Sequence, residues 1–241
     1  NYRIIDFVLN NFVNSDLLQI FVITQFKSHS LMKHLSRAWR VTGLTNRFID
    51  PIPAQMQTGK HWYLGTADAV YQALSQHADW QTGRVIVCNS DNLYSVNALK
   101  TLWASEVPQA LISYHRDSLL YPEERISAFA LIRTDAEGYL LEIIEKPTKE
   151  QAEELMAKQG RLGVSMNVFV FEASTFLPYL AKTPFHPVRN EKELPTSVVM
   201  FGEGEGKGFF AIPLAENVPD LTSKEDILVM QKYLEETYGD F

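Results

Sequence analysis

The sequence predicts an α/β protein: a Rossmann-like, mixed and mostly parallel sheet with helices on both faces. Three observations predict it. Short apolar runs rich in β-forming residues alternate with stretches of helical period through the first half of the chain. In the second half several strand-like runs follow one another closely, two of them flanking the turn Asp135-Ala136-Glu137-Gly138. The 241 residues are 46% hydrophobic and hold no repeat, low-complexity tract or linker, so 1–241 is read as one domain with a sizeable core.

Ile4, Ile5, Val8, Leu9, Phe12 and Val13 recur at helical spacing, which predicts an amphipathic helix over 3–14. The run 17–23 is short and rich in β-formers, a buried strand. Helical spacing returns at 28–39, and 48–52 is a strand ending at Pro53. Residues 66–78 form a helix with Val70, Tyr71 and Leu74 on one face, and 84–89 is a second buried strand before a helix at 97–105. Strands follow at 110–114, 128–133 and 140–145, then a polar helix at 148–158, a strand at 164–171 and a helix at 174–181. The Pro- and charge-rich 183–195 reads as a surface loop and 202–208 as a glycine-dense turn; a strand at 209–213 and a helix at 224–238 follow.

Bulk properties narrow the function. A net charge of −7 argues against a general nucleic-acid binder, whose surface is normally basic. The single cysteine, Cys88, leaves no intramolecular disulfide or multi-cysteine metal site, and its apolar surroundings suggest a small buried residue. No apolar run approaches the roughly 20 residues that span a bilayer, and the N-terminus has no signal-peptide layout. The cytoplasm is the default location. The chain starts at Asn1 and enters a helical pattern almost at once, as a sequence beginning partway through a domain would.

In open α/β sheets ligands bind beyond the carboxyl ends of strands. Strand 84–89 runs into Ser90-Asp91-Asn92-Leu93-Tyr94, where Asp91 is placed either to hold Mg²⁺ or to form an Asx turn; the sequence leaves both open. Gly65-Thr66-Ala67-Asp68-Ala69 opens a helix with small side chains. These suit close approach of a planar ligand or phosphate, with Thr66 as a cap, but tight packing explains them better. Glu145-Lys146-Pro147 sets an acid beside a base at a strand end. The two share a pocket only if the backbone turns there; otherwise they are a solvated charged turn. Asp220 precedes the last helix and offers a second carboxylate, with Thr222 or Ser223 as an ordinary N-cap.

These stations occur together in one family. Asn1-Tyr2-Arg3-Ile4-Ile5-Asp6-Phe7, Leu9-Asn10-Asn11, Asn14-Ser15, Thr24-Gln25-Phe26-Lys27-Ser28 and Pro53-Ala54-Gln55 are part of the match. The run Trp62-Tyr63-Leu64-Gly65-Thr66-Ala67-Asp68-Ala69-Val70-Tyr71-Gln72 is its most specific piece. With Ser90 to Tyr94, Glu145-Lys146-Pro147, Ser165-Met166 and Asp220, the chain resembles the sugar-1-phosphate nucleotidyltransferases, and most of all the ADP-glucose pyrophosphorylases, over nearly its whole length. The resemblance implies that Gln55 and Gly65 contact the base with Tyr63 and Thr66 nearby, and that Asp91 and Asp220 hold Mg²⁺. It also implies that Glu145 binds sugar hydroxyls, Lys146 the sugar phosphate, and that Ser165 faces the sugar. ATP and glucose 1-phosphate would be the substrates, in a cytoplasmic homo-oligomer of glycogen biosynthesis. The chemistry agrees, because an ionised phosphate attacking a triphosphate in line needs positioning and charge neutralisation and no general base. His29, His34, His61 and His115 then need no catalytic role.

The chain departs from the family's pattern in three ways. The glycine-rich loop that holds the triphosphate and the C-terminal β-helix are both missing, so the chain reads as cut short at both ends. Ser90, Ala130 and Asn167 stand where the family usually has glycine, and the side chains at Ala130 and Asn167 would reshape or close the sugar pocket. Two alternatives follow: a guanylyl-, thymidylyl- or uridylyltransferase of the same family, or a non-catalytic regulatory subunit that binds ligand. A metal-dependent glycosyltransferase ranks below both, since Ser90-Asp91-Asn92 is not Asp-x-Asp.

Overall fold

The structure, a computed structural model, describes residues 3–39, 47–55, 62–221 and 226–239. It divides into two compact units, each drawing on separated stretches of the chain. One comprises Asn1–Ser15, Ile86–Val170 and Phe209–Phe241, and the other Asp16–Val85 and Phe171–Gly208.

The first unit holds helix α1 (Ile4–Asn14), the greater part of strand β3 (Arg84–Cys88), α4 (Val96–Trp103), β4 (Ala110–His115), the short α5 (Glu123–Ile126), β5 (Leu131–Thr134) and β6 (Leu140–Ile144). It continues with α6 (Lys149–Gln159), most of β7 (Gly163–Glu172), β8 (Phe210–Leu214) and α9 (Asp226–Tyr238). The sheet runs β6-β5-β7-β4-β8, with β3 also paired to β7. Helices α1, α4 and α6 start where the sequence supplies acceptors for free N–H groups. Asp6 accepts from the Arg3 N–H at 2.7 Å, Ser95 from the Ala98 N–H at 2.9 Å, and Thr148 from the Gln151 N–H at 3.2 Å. Leu9, Leu93, Leu99, Leu102, Leu111, Tyr114 and Phe169 form its buried core.

The second unit holds β1 (Gln19–Thr24), α2 (His29–Ala38), β2 (Phe48–Pro53), α3 (Thr66–Gln76), α7 (Ala173–Lys182) and α8 (Leu194–Glu205). Strands β1 and β2 pair in parallel. Helices α3, α7 and α8 pack on one another, with Phe176 against Phe171 and Phe201 at ring separations of 4.5 and 5.9 Å.

Two expectations need correcting. The mixed α/β class holds, but parallel pairing does not dominate the defined registers: β4–β7, β5–β6 and β5–β7 are antiparallel, β4–β8 and β1–β2 parallel. The connection from β5 to β6 is too short for a crossover and allows only a hairpin. Second, the loop over 183–195 and the turn over 202–208 gave no hint of α8. Pro195 fits the first turn of that helix, and Ser197, Val198 and Phe201 are buried along it. Gly204 stands where a Cβ would lie 2.4 Å from the Tyr179 hydroxyl, so the glycine answers to packing and not to a turn. The turn comes at Gly206, with φ of 72°.

Tyr114 on β4 is fully buried, and its hydroxyl has no hydrogen-bond partner among the described residues. Burying an unbonded hydroxyl is unfavourable. Tyr114→Phe is therefore expected to leave stability unchanged or raise it by up to about 1 kcal/mol in urea unfolding. A clear loss of stability would show that the hydroxyl is bonded.

Candidate active site

In the first unit β3 ends at Cys88 and the chain enters the loop Asn89 to Tyr94. That loop pairs with the segment before α9: Leu93 N–H donates to the Pro219 carbonyl at 2.8 Å, and Leu221 N–H to the Asp91 carbonyl at 3.0 Å. The result is an antiparallel bridge between Asn92 and Asp220. Asp91 and Asp220, far apart in sequence, are thereby set close enough for their charges to interact. Burial raises the Asp91 carboxyl above its ordinary range, and the charge of Asp220 adds to the rise. The fold thus brings together the two residues read as metal ligands.

Two residues hold this loop in place. Asn11 on α1 donates to the Tyr94 carbonyl at 2.9 Å and accepts from the Tyr238 hydroxyl at 3.0 Å. The buried Tyr94 hydroxyl donates to the Met166 carbonyl at 2.6 Å. Met166 lies where the β4–β7 register shifts, from Leu111 opposite Phe169 to Ser113 opposite Ser165, so the extra residues bulge from β7. Within the bulge Asn167 has φ of 54°, a left-handed conformation that asparagine tolerates better than most side chains and glycine tolerates freely. The bulge frees a carbonyl, and Tyr94 satisfies it.

Register also places the residues read as sugar-binding. Leu131 pairs with Ile144 on one side and with Val164 on the other. One step along, Glu145, Ala130 and Ser165 come level, and Ser165 N–H donates to the Ala130 carbonyl at 2.9 Å. Ser165 is buried, whereas Glu145 and Lys146 are exposed. Lys146 has φ of 46°, so the backbone turns at this point and the alternation of faces along β6 ends before it. The condition for Glu145 and Lys146 to share a pocket is met.

The residues read as base-binding, Gln55, Tyr63, Gly65 and Thr66, all belong to the second unit. Gln55 is exposed just past β2. Tyr63 is half-buried; its hydroxyl is enclosed without a partner among the described residues, and burial, with Asp68 adding, raises it above the ordinary phenol range. Gly65 has φ of 133°, and a Cβ there would lie 2.3 Å from the Lys192 carbonyl oxygen. The close approach is made by the chain's own backbone, which accounts for the glycine without a ligand. Thr66 does not cap α3 as expected: its hydroxyl accepts from the Leu194 N–H at 2.9 Å, at the start of α8. Asp68 serves the helix start instead, accepting from the Leu64 N–H at 2.9 Å and from Gln72 at 2.8 Å. The proposed caps Thr222 and Ser223 lie outside the described residues, as does His61.

Sequence reading missed Arg125. Its guanidinium donates to Asp220 at 2.6 Å and to Asp226, and lies 4.9 Å from the centre of the Tyr121 ring. Nothing in Pro122-Glu123-Glu124-Arg125 distinguishes it from a solvated charge run, so only the fold reveals its partners. Cys88 is part-buried instead of buried, but its thiol is enclosed, and burial with the nearby Asp91 pushes it up to about 12.

A model of the nucleotidyl transferase family matches residues 1–196. The chain belongs to that family. Members generally use a divalent metal ion. The chain is 41% identical over 175 residues to a glucose-1-phosphate adenylyltransferase of Aliivibrio fischeri (strain MJ11), covering 73% of this chain and 42% of that protein. It is 42% identical over 182 residues to glucose-1-phosphate adenylyltransferase 1 of Vibrio parahaemolyticus (76% and 44%), and 35% identical over 182 residues to the enzyme of that name from Mycolicibacterium smegmatis (70% and 43%). The chain therefore spans less than half the length of these relatives. Asp220 lies beyond the stretch the family model matches, and it is the structure that pairs its segment with the loop bearing Asp91. Among the described residues no helix is long and apolar enough to cross a membrane.

Gly65→Ala forces a Cβ into the Lys192 backbone at a φ that only glycine adopts comfortably. It is expected to destabilise the protein by at least about 2 kcal/mol in chemical unfolding. A loss below about 0.5 kcal/mol would mean that the 63–66 turn yields freely.

Proposed function

We propose that this nucleotidyl transferase moves the adenylyl group of ATP to glucose 1-phosphate, releasing pyrophosphate and forming ADP-glucose for glycogen biosynthesis. The observation that supports the reading is the Asn92–Asp220 bridge, which holds the segments bearing Asp91 and Asp220 together past the end of β3, near enough for the charge of Asp220 to act on Asp91. The donor set suits Mg²⁺: both ligands are hard oxygens, and a shared cation would offset the burial that raises Asp91 and the charge of Asp220 that adds to it. Bound between Asp91 and Asp220, Mg²⁺ would neutralise charge on the reacting phosphates.

The chain's own residues supply the rest. Lys146, on its left-handed turn, binds the phosphate of the sugar, while Glu145 and Ser165 hold its hydroxyls. An oxygen of that phosphate attacks the α-phosphorus of ATP in line; the new P–O bond forms as the bond to pyrophosphate breaks, and pyrophosphate carries the electron pair away. Tyr63, Thr66, Gly65 and Gln55 receive the base. The relatives named as glucose-1-phosphate adenylyltransferases support ATP and glucose 1-phosphate over other triphosphates and sugars. The cytoplasm and a homo-oligomeric assembly complete the reading.

The deciding assay, on protein that carries the family's glycine-rich loop, is pyrophosphate release from ATP with Mg²⁺, with and without glucose 1-phosphate. Release that requires the sugar phosphate, and that is lost in Asp91→Asn with an unchanged thermal midpoint, is the expected result. Ligand binding by calorimetry with no release from any pairing would favour the second reading, a regulatory subunit, for which the side chains at Ala130 and Asn167 speak. Lys146→Ala is expected to raise the KM for glucose 1-phosphate roughly tenfold or more, as loss of a charged hydrogen bond does. An unchanged KM would remove Lys146 from the sugar-phosphate site.

A further inference from the structure

Arg125 is the cation already seated among the acids of this site. One arm of its fork donates to Asp220 at 2.6 Å and the other to Asp226, and its face lies 4.9 Å from the Tyr121 ring centre. Both carboxylates are largely buried and the guanidinium is about a quarter exposed. Such a pair is screened less by solvent and salt than one on the open surface, so the arginine's charge acts on Asp220. A divalent ion shared by Asp91 and Asp220 would meet that charge directly.

We propose that Arg125 is a built-in counterion that competes with the divalent cation for Asp220, with Asp226 as the second seat that holds the arginine when the cation is bound. The proposal rests on reading Asp91 and Asp220 as the cation-holding pair. Arginine is suited to the task because its fork reaches two carboxylates at once and stays protonated throughout the working range. When the cation takes Asp220, the guanidinium keeps its bond to Asp226 and its ring contact with Tyr121, so it need not be expelled into water. Asp226 thus lowers the cost of cation binding, and Arg125 sets a threshold concentration below which Asp220 stays paired within the protein. Linkage makes the effect reciprocal: bound cation weakens the Arg125–Asp220 pair by the same factor.

The test is Mn²⁺ binding without substrates, followed by the ion's paramagnetic resonance signal, in the unaltered protein, Arg125→Gln and Asp226→Asn. Arg125→Gln is expected to bind Mn²⁺ about tenfold tighter or more, since one nearby positive charge is removed. Asp226→Asn, nearly the same shape as the original, is expected to bind it several-fold more weakly, because the whole guanidinium then turns to Asp220. Binding in Arg125→Gln alone supports the proposal in its strongest form. Equal or weaker binding in Arg125→Gln overturns it, as does equal or tighter binding in Asp226→Asn, which decides the matter if Arg125→Gln does not fold. No Mn²⁺ binding in any of the three also overturns it, while the transfer reaction is judged separately by pyrophosphate release.

Discussion

The arrangement at the end of β3 depends on two backbone hydrogen bonds, Leu93 N–H to Pro219 and Leu221 N–H to Asp91. Neither residue of the acid pair is placed by a helix or a long strand. Each sits in irregular chain, and the bridge gives both segments a fixed register. Asn11 and Tyr94 then fix the loop from two further directions, one from α1 and one through the bulge of β7. Buried backbone groups must find partners, so a loop pinned at this many points has few other conformations open to it. Rigidity of this kind is what catalysis by positioning requires.

Much of the fold was legible in the sequence because hydrophobic period is a local signal. Strand β3 and the helices α1, α3 and α7 fall within a residue or two of the places where that period put them. Helix α8 was not legible, since Gly204 is there to admit Tyr179, and a contact with another helix leaves no local trace. The balance of parallel and antiparallel pairing is likewise a property of the whole sheet, set by which strands become neighbours. The site divides along the same line. Asp91 and Glu145-Lys146 could be picked out as strand-end positions, but the neighbour of Asp91 and the turn at Lys146 needed the fold. Arg125 left no mark in the sequence, because its importance comes entirely from what surrounds it.

The glycine of the Tyr63 to Thr66 run carries a more general point. Its backbone angle and the nearness of Lys192 are sufficient cause for Gly65, whatever binds there. Thr66 too is occupied, as acceptor for the first N–H of α8. A run can be the most specific part of a family resemblance because it builds the platform, with the ligand contacts left to fewer of its members. Tyr63 is the member whose hydroxyl has no partner among the described residues.

The order of these segments along the chain has a bearing on how the protein is made. The first unit takes its opening helix from residues before Asp16, its middle from Ile86–Val170 and its last strand and helix from residues after Gly208, while the second unit is encoded in the two stretches between. A ribosome delivers Asp91 long before Asp220, an interval on the order of ten seconds at ordinary rates of synthesis. During it the β3 loop lacks its bridge, and β4 lacks β8, leaving an unpaired sheet edge of the kind to which other chains adhere. Newly made protein is therefore most in need of a chaperone before β8 and the segment around Asp220 emerge, and a chain that broke off ahead of them would carry the stretch that the family model matches without ever closing the acid pair.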